Sequence, residues 1–163
     1  AGCYGGYVYD YLQRCVSSGE EQIEYTGIDS QASVIEAACA VHGHAANATF
    51  QVGDIYHLVD TFGENAFDYT FCSRVLVQIP YFEKALEQLF TVTKKAVFNV
   101  IAVDSAAKLE KIRRTNIDTG KAETVYFRYF TFKELNAASD AVGARDFRVI
   151  QGPRPYASYV IRH

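Results

Sequence analysis

Residues 96–103 read Ala-Val-Phe-Asn-Val-Ile-Ala-Val, a nearly unbroken apolar run with one polar residue, Asn99. A strand that shows one face to water alternates apolar and polar residues. A run without that alternation suits a central strand buried on both faces. Helices must then cover both sides, and the rest of the chain supplies helical and strand-like patterns in alternation. That alternation predicts an α/β fold: a doubly wound, Rossmann-like, mostly parallel sheet, closed by a C-terminal antiparallel strand.

The segments follow in order. Residues 1–6 form a glycine-rich turn that opens a helix over 7–17, with Gly19 just beyond its end. Residues 23–28 read as a short strand ending at Asp29. Ser30 or Ser33 is placed to cap the next helix, which carries Val34, Ile35, Ala38 and Val41 at helical spacing and ends at Gly43. Residues 49–52 are strand-like and stop at Gly53-Asp54, and 67–72 form the next strand. Pro80 suits a helix start, with Ala85, Leu86, Leu89 and Phe90 as its apolar stripe. Residues 104–130 are more polar and less regular. Thr131 and Glu134 have capping-box spacing and open a helix ending near Gly143. Residues 146–151 and 157–162 read as two strands joined through Gly152-Pro153-Arg154-Pro155.

Composition narrows the class. The 163 residues fit one domain, 49% are hydrophobic, and the net charge of -3 leaves no basic footprint, which argues against a nucleic-acid partner. No apolar stretch reaches the length needed to cross a bilayer, so no membrane partner is expected. Cys3, Cys15, Cys39 and Cys72 form no CxxC pair and no zinc pattern. They read as reduced thiols of a cytoplasmic protein with no metal. The chain contains no Met, and its glycine turn has no strand before it. Together these predict further residues ahead of Ala1 that supply the central strand of a single domain over 1–163.

The turn Gly2-Cys3-Tyr4-Gly5-Gly6-Tyr7 opens a helix. Glycines there let a ligand approach the backbone, and the helix N-terminus favours negative groups. A dinucleotide GxGxxG needs glycine at 2, 4 and 7, and positions 4 and 7 are tyrosine. A GxGxG loop fits at Gly2 and Gly6 and departs at Tyr4. Asp29 and Asp54 each follow a strand, where plain turn residues also occur.

The ordered set of motifs resembles a class I S-adenosylmethionine-dependent methyltransferase over nearly the whole chain. Gly2 to Gly6 resembles that family's first motif, and Tyr25-Thr26-Gly27-Ile28-Asp29-Ser30 the end of its second strand. Val52-Gly53-Asp54-Ile55 resembles the turn after its third strand, and the stretch from Phe67 through Ser73-Arg74 to Leu76 its fourth strand and loop. The resemblance implies S-adenosylmethionine as cofactor, with Gly2, Cys3, Tyr4, Gly6, Asp29, Ser30, Asp54, Ile55, Ser73 and Arg74 around it. It implies that Asp29 accepts the ribose hydroxyls. It further implies that Asp54 accepts the adenine amino group, Ile55 covers the ring, and the backbone at Ser73 and Arg74 holds the amino-acid end. The loop after the fourth strand carries Arg74 and Gln78, where many relatives carry an acid and a histidine.

The expected activity is methyl transfer to a small-molecule acceptor, with residues 104–130 as substrate cover and no general base named. Arg113, Arg114 and Arg128 with Tyr126 and Tyr129 suit either an anionic substrate or a solvated face. His42 and His44 suit the helix C-terminal dipole better than a metal. His57 reads as a surface residue and Cys72 as a packed one. Two alternatives remain: a degenerate methyltransferase-like scaffold, motivated by Tyr4 and by the expected residues ahead of Ala1, and a nicotinamide-dependent oxidoreductase, which the failed GxGxxG and the Asp54 match disfavour.

Overall fold

The computed structural model describes residues 1–16, 23–116 and 119–163, which fall into two compact units, Ala1–Asp54 and Ile55–His163. The sequence-based end of the first helix and Gly19 lie outside the described residues.

In the first unit a 3-10 turn, Tyr4–Gly6, runs into α1 (Tyr7–Val16). Then come β1 (Tyr25–Asp29), α2 (Ala32–His42) and β2 (Ala48–Val52), with β1 and β2 paired in parallel from Tyr25↔Ala48 to Asp29↔Val52. Val34, Ile35 and Ala38 are buried as the helical spacing predicts, but Val41 is 58% exposed and His42 takes its place inside. The interior here is aromatic: the rings of Tyr9, Tyr25, His42 and Phe50 meet at centroid distances of 5.3–5.7 Å. Such tilted, edge-on and stacked pairs stabilise by about 0.5–1.5 kcal/mol each beyond the area they bury.

Neither Ser30 nor Ser33 caps α2. Gln31 is the N-cap, without a side-chain cap bond, and Asp29 Oδ1 accepts from Gln31 N at 3.2 Å. The carboxylate at the strand end thus closes an Asx turn two residues on, just ahead of the helix, and α2 starts without a side-chain cap.

The second unit opens with a 3-10 turn (Ile55–His57) and α3 (Leu58–Phe62), which sequence periodicity did not reveal. β3 (Phe67–Ser73), α4 (Phe82–Thr91) and β4 (Thr93–Ala102) follow. The four apolar residues of the α4 stripe, Ala85, Leu86, Leu89 and Phe90, are buried as expected. In β4, Val97, Ile101 and Ala102 are fully buried, and the one polar residue of the run, Asn99, is buried with its Nδ2 donating to Tyr159 O at 3.3 Å and its Oδ1 without a hydrogen-bond partner among the described residues.

Residues 104–130, expected to be irregular, form an antiparallel hairpin of β5 (Lys108–Thr115) and β6 (Ala122–Tyr129). The strand signal is the period-2 alternation of half-buried Glu123, Val125 and Phe127 with exposed Ala122, Thr124 and Tyr126. A charged outer face diluted it. α5 (Phe132–Ala141) begins at the predicted capping box, Thr131 with Glu134.

β7 (Asp146–Gln151) and β8 (Tyr156–Arg162) close the chain as an antiparallel pair. The sheet order is β3-β4-β8-β7; β3 and β4 are parallel, and β8 runs against both β4 and β7. β8 is therefore the one reversed strand of this sheet. The fold is mixed α/β, mostly parallel, with a C-terminal antiparallel strand, as the sequence predicts.

Candidate functional site

In the first unit three chain segments meet at the carboxyl ends of β1 and β2. Cys3 N donates to Ile28 O at 3.0 Å, which pins the glycine loop to β1. Gly53 N donates to Asp29 O at 3.0 Å, which pins the end of β2 to the same place. Gly2, Cys3, Tyr4, Gly6, Asp29, Ser30 and Asp54 are thus gathered at one end of the β1–β2 pair. Close packing requires Gly27 beneath the loop, because a Cβ there would stand 2.7 Å from the Phe50 ring and 3.1 Å from Cys3.

The loop takes left-handed backbone conformations at Gly2 (φ 70), Tyr4 (φ 35), Gly5 (φ 47) and Gly6 (φ 85). Tyr4 stands where the GxGxG pattern has its central glycine, yet its backbone adopts a glycine-like conformation. That costs roughly 1–2 kcal/mol for an L residue, and such outliers cluster where a site constrains the chain. Its side chain is 68% exposed, so the ring does not fill the space inside the loop.

The sequence did not reveal His42 as part of this region. It is 7% exposed, not a solvated residue at a helix end. Its Cδ2 would lie 2.5 Å from a Cβ at Gly6, and its Nε2 is 3.7 Å from Asp10 Oδ2. The ring is a wall behind the glycine loop. A clue existed in the spacing Val34, Ile35, Ala38, His42, which continues one helix face. Among the described residues no group of His, Cys, Asp and Glu has metal-holding geometry.

Ile55, Ser73 and Arg74 belong to the second unit. Ile55 is buried at the start of the 3-10 turn. Ser73 ends β3 opposite Val100, and Arg74 follows with φ 59, its N–H donating to Val100 O at 2.9 Å. The Arg74 guanidinium lies 6.0 Å from the Tyr156 ring centroid. Two of the three hairpin arginines are already engaged. Arg114 Nε donates to Glu123 Oε1 at 2.7 Å, and Arg128 stacks on Phe82 at 4.8 Å and Phe130 at 5.8 Å. Arg113 has no such partner among the described residues. His57 is exposed, as expected.

All four cysteines are free, with Cys3 and Cys72 buried and Cys15 and Cys39 exposed. Burial, and next the Asp29 charge, push the Cys3 thiol from 9.0 to about 11; burial pushes Cys72 up as well. Native protein at pH 8 is therefore expected to titrate two thiols with a disulfide reagent and four after denaturation. Rapid labelling of Cys3 would contradict the packing of the loop. The folded pKa of Cys3 lies above its unfolded value, so its contribution to stability is present below pH 9 and is lost as pH rises toward 11. A Cys3→Ser variant should show a smaller loss of melting temperature across that window than the wild type.

A family model described as a methyltransferase domain matches residues 2–132. Among solved structures, the N-terminal domain of EvdMO1 with S-adenosylhomocysteine bound aligns with TM-score 0.71 and 16% identity, over 99% of this chain and 71% of that one. An S-adenosylmethionine dependent methyltransferase from Mesorhizobium loti aligns with TM-score 0.67 and 12% identity, over 99% and 88%. The cyclase SpnF aligns with TM-score 0.66 and 16% identity, over 99% and 72%. No curated protein matches the chain. S-adenosylmethionine is the cofactor of methyltransferases of this fold. No helix among the described residues is long and apolar enough to cross a membrane.

Proposed function

Because this chain belongs to the methyltransferase-domain family, whose model covers residues 2–132, we propose that it transfers the methyl group of S-adenosylmethionine to a small-molecule acceptor. The observation that carries this reading is the left-handed glycine loop held against the end of β1, beside Asp29 and the end of β2. The residues present fit the group: a glycine-rich loop held at the end of β1, a Tyr4 side chain turned to solvent, and carboxylates at the ends of two adjacent strands. When bound, S-adenosylmethionine supplies a methyl group already activated on a sulfonium.

The roles are those that the family resemblance implies, and the chemistry of each group is compatible with them. Asp29 accepts the two ribose hydroxyls, since a carboxylate offers two acceptor oxygens. Asp54 accepts the adenine amino group, and Ile55 covers the ring. The backbone from Gly2 through Cys3 and Tyr4 to Gly6 lets the methionine part approach, while Ser30 follows Asp29 at the rim. In the second unit the backbone of Ser73 and Arg74 serves the amino-acid end. The β5–β6 hairpin, within 104–130, covers the acceptor. With the methyl group activated by the cofactor, the protein's task is orientation, a contribution that reaches about 7–11 kcal/mol in well-aligned cases.

The test is calorimetric titration of S-adenosylmethionine and S-adenosylhomocysteine into the wild type and Asp29→Ala. The wild type should bind at about micromolar Kd, near -8 kcal/mol. Loss of the charged acceptor should weaken binding about 100-fold, close to 2.7 kcal/mol. No heat with the wild type would overturn the reading. A scaffold without cofactor, which the tyrosine at position 4 favours, would then lead. A thermal shift with NAD instead would point to the oxidoreductase.

A further inference from the structure

Gln78, in the turn after β3, joins two elements with one amide. Its Nε2 donates to Arg74 O at 3.2 Å, and its Oε1 accepts from Arg114 Nη1 at 3.0 Å. A carbonyl only accepts and a guanidinium only donates, so the two partners fix which way the amide faces. Glutamate lacks the donor for this double task, and lysine lacks the acceptor.

The connection continues into the hairpin. Arg114 Nε donates to Glu123 Oε1 at 2.7 Å, and Asn116 Nδ2 donates to Glu123 Oε2 at 3.2 Å. These two bonds hold the Glu123 carboxyl below the usual carboxylate range. A polar chain therefore runs from Arg74 through Gln78, Arg114 and Glu123 to the far end of the hairpin. A second tie lies alongside it, Arg128 N to Val77 O at 2.8 Å. At the near end, Arg74 holds a left-handed conformation (φ 59) that a non-glycine residue keeps only when its surroundings impose it. Its N–H is anchored to Val100 O, and Gln78 anchors its carbonyl.

We propose that Gln78 is a positioning residue that couples the turn at Ser73 and Arg74 to the β5–β6 hairpin, so that occupancy at the turn is transmitted to the hairpin. The proposal rests on the reading of Ser73 and Arg74 as cofactor-facing. Gln78 touches neither cofactor nor acceptor in this scheme. It acts through the Arg74 carbonyl on one side and the Arg114 guanidinium on the other.

The test is amide hydrogen exchange of the two hairpin strands in the full chain, with saturating S-adenosylhomocysteine as probe and its affinity measured in parallel. In the wild type the ligand should slow hairpin exchange about five-fold. In Gln78→Ala that slowing should fall below about two-fold, while affinity changes by less than about three-fold. Gln78→Glu keeps an acceptor for Arg114 and loses the donor to Arg74. It should therefore hold the unliganded hairpin at wild-type exchange rates yet lose the ligand response, a separation that a purely structural tie would not produce. Binding by the wild type without a hairpin response overturns this coupling alone, as does full retention of the response in either variant. No binding by the wild type overturns both this coupling and the cofactor reading.

Discussion

Gly6→Ala is expected to destabilise the first unit by roughly 2–5 kcal/mol, the sum of a left-handed backbone cost and of overpacking. The backbone cost arises because Gly6 has φ 85. The overpacking arises because the new methyl would stand 2.5 Å from His42 Cδ2, 2.8 Å from His42 Nε2 and 3.3 Å from the Phe50 ring. His42 is buried and stacked on Phe50, so its ring has little room to retreat. Displacing the loop instead would break the Cys3 N to Ile28 O bond and spoil the surface proposed for the cofactor. Gly5→Ala is the matched control: φ is 47, but no atom lies within 4 Å of its Cβ position, so it carries the backbone cost without the clash. A double mutant with His42→Ala should recover the steric part of the Gly6→Ala loss and leave the backbone part. Chemical denaturation of five proteins, the wild type, the three single variants including His42→Ala, and the double mutant, measures this. Equal stability of Gly6→Ala and Gly5→Ala would show that His42 is not the wall described here.

Phe130→Ala should lower stability by about 3–5 kcal/mol, the range for removing a large aromatic from a core. Its side chain is 0% exposed and meets Phe82 edge-on at 4.8 Å, with the Arg128 guanidinium over both rings. It is also the root of the hairpin: Phe130 N donates to Ala102 O at 2.8 Å, and Asp104 N donates to Phe130 O at 3.0 Å. For a chain of this size the melting temperature should fall by roughly 6–20 °C at the usual 2–4 °C per kcal/mol. Arg128 would lose one of its two aromatic supports, so hairpin amides should exchange faster than those of β7 and β8. A fall of under about 3 °C would mean that the cavity collapses and that the hairpin stands without this anchor.

The candidate site was legible where its signal was local. Asp29 and Asp54 declare themselves by following strand-like segments, and Gly2 and Gly6 by composition. The resemblance placed them in one series, and the first unit gathers them at one end of the β1–β2 pair. His42 escaped because its burial depends on Gly6, Tyr9 and Phe50, which are distant in sequence. Val41 was assigned to the core on the same helical period, and the helix turned its neighbour inward instead. The serines predicted to cap α2 lost that place to Gln31, because Asp29 closes an Asx turn onto the Gln31 N–H and sets where the helix begins.

The sequence by itself determined the order and type of most elements, because residue periods of 2 and 3.6 and capping residues act over a few positions. The β4 run, the α4 stripe, the Thr131–Glu134 capping box and the closing strand pair are of this kind. Tertiary structure alone decided that Tyr4 adopts a glycine's conformation, that Arg128 rests on two phenylalanines and that Gln78 bridges Arg74 to Arg114. Each of these depends on contacts between segments far apart in the chain. Their energies decide between local conformations that a short window of sequence leaves open.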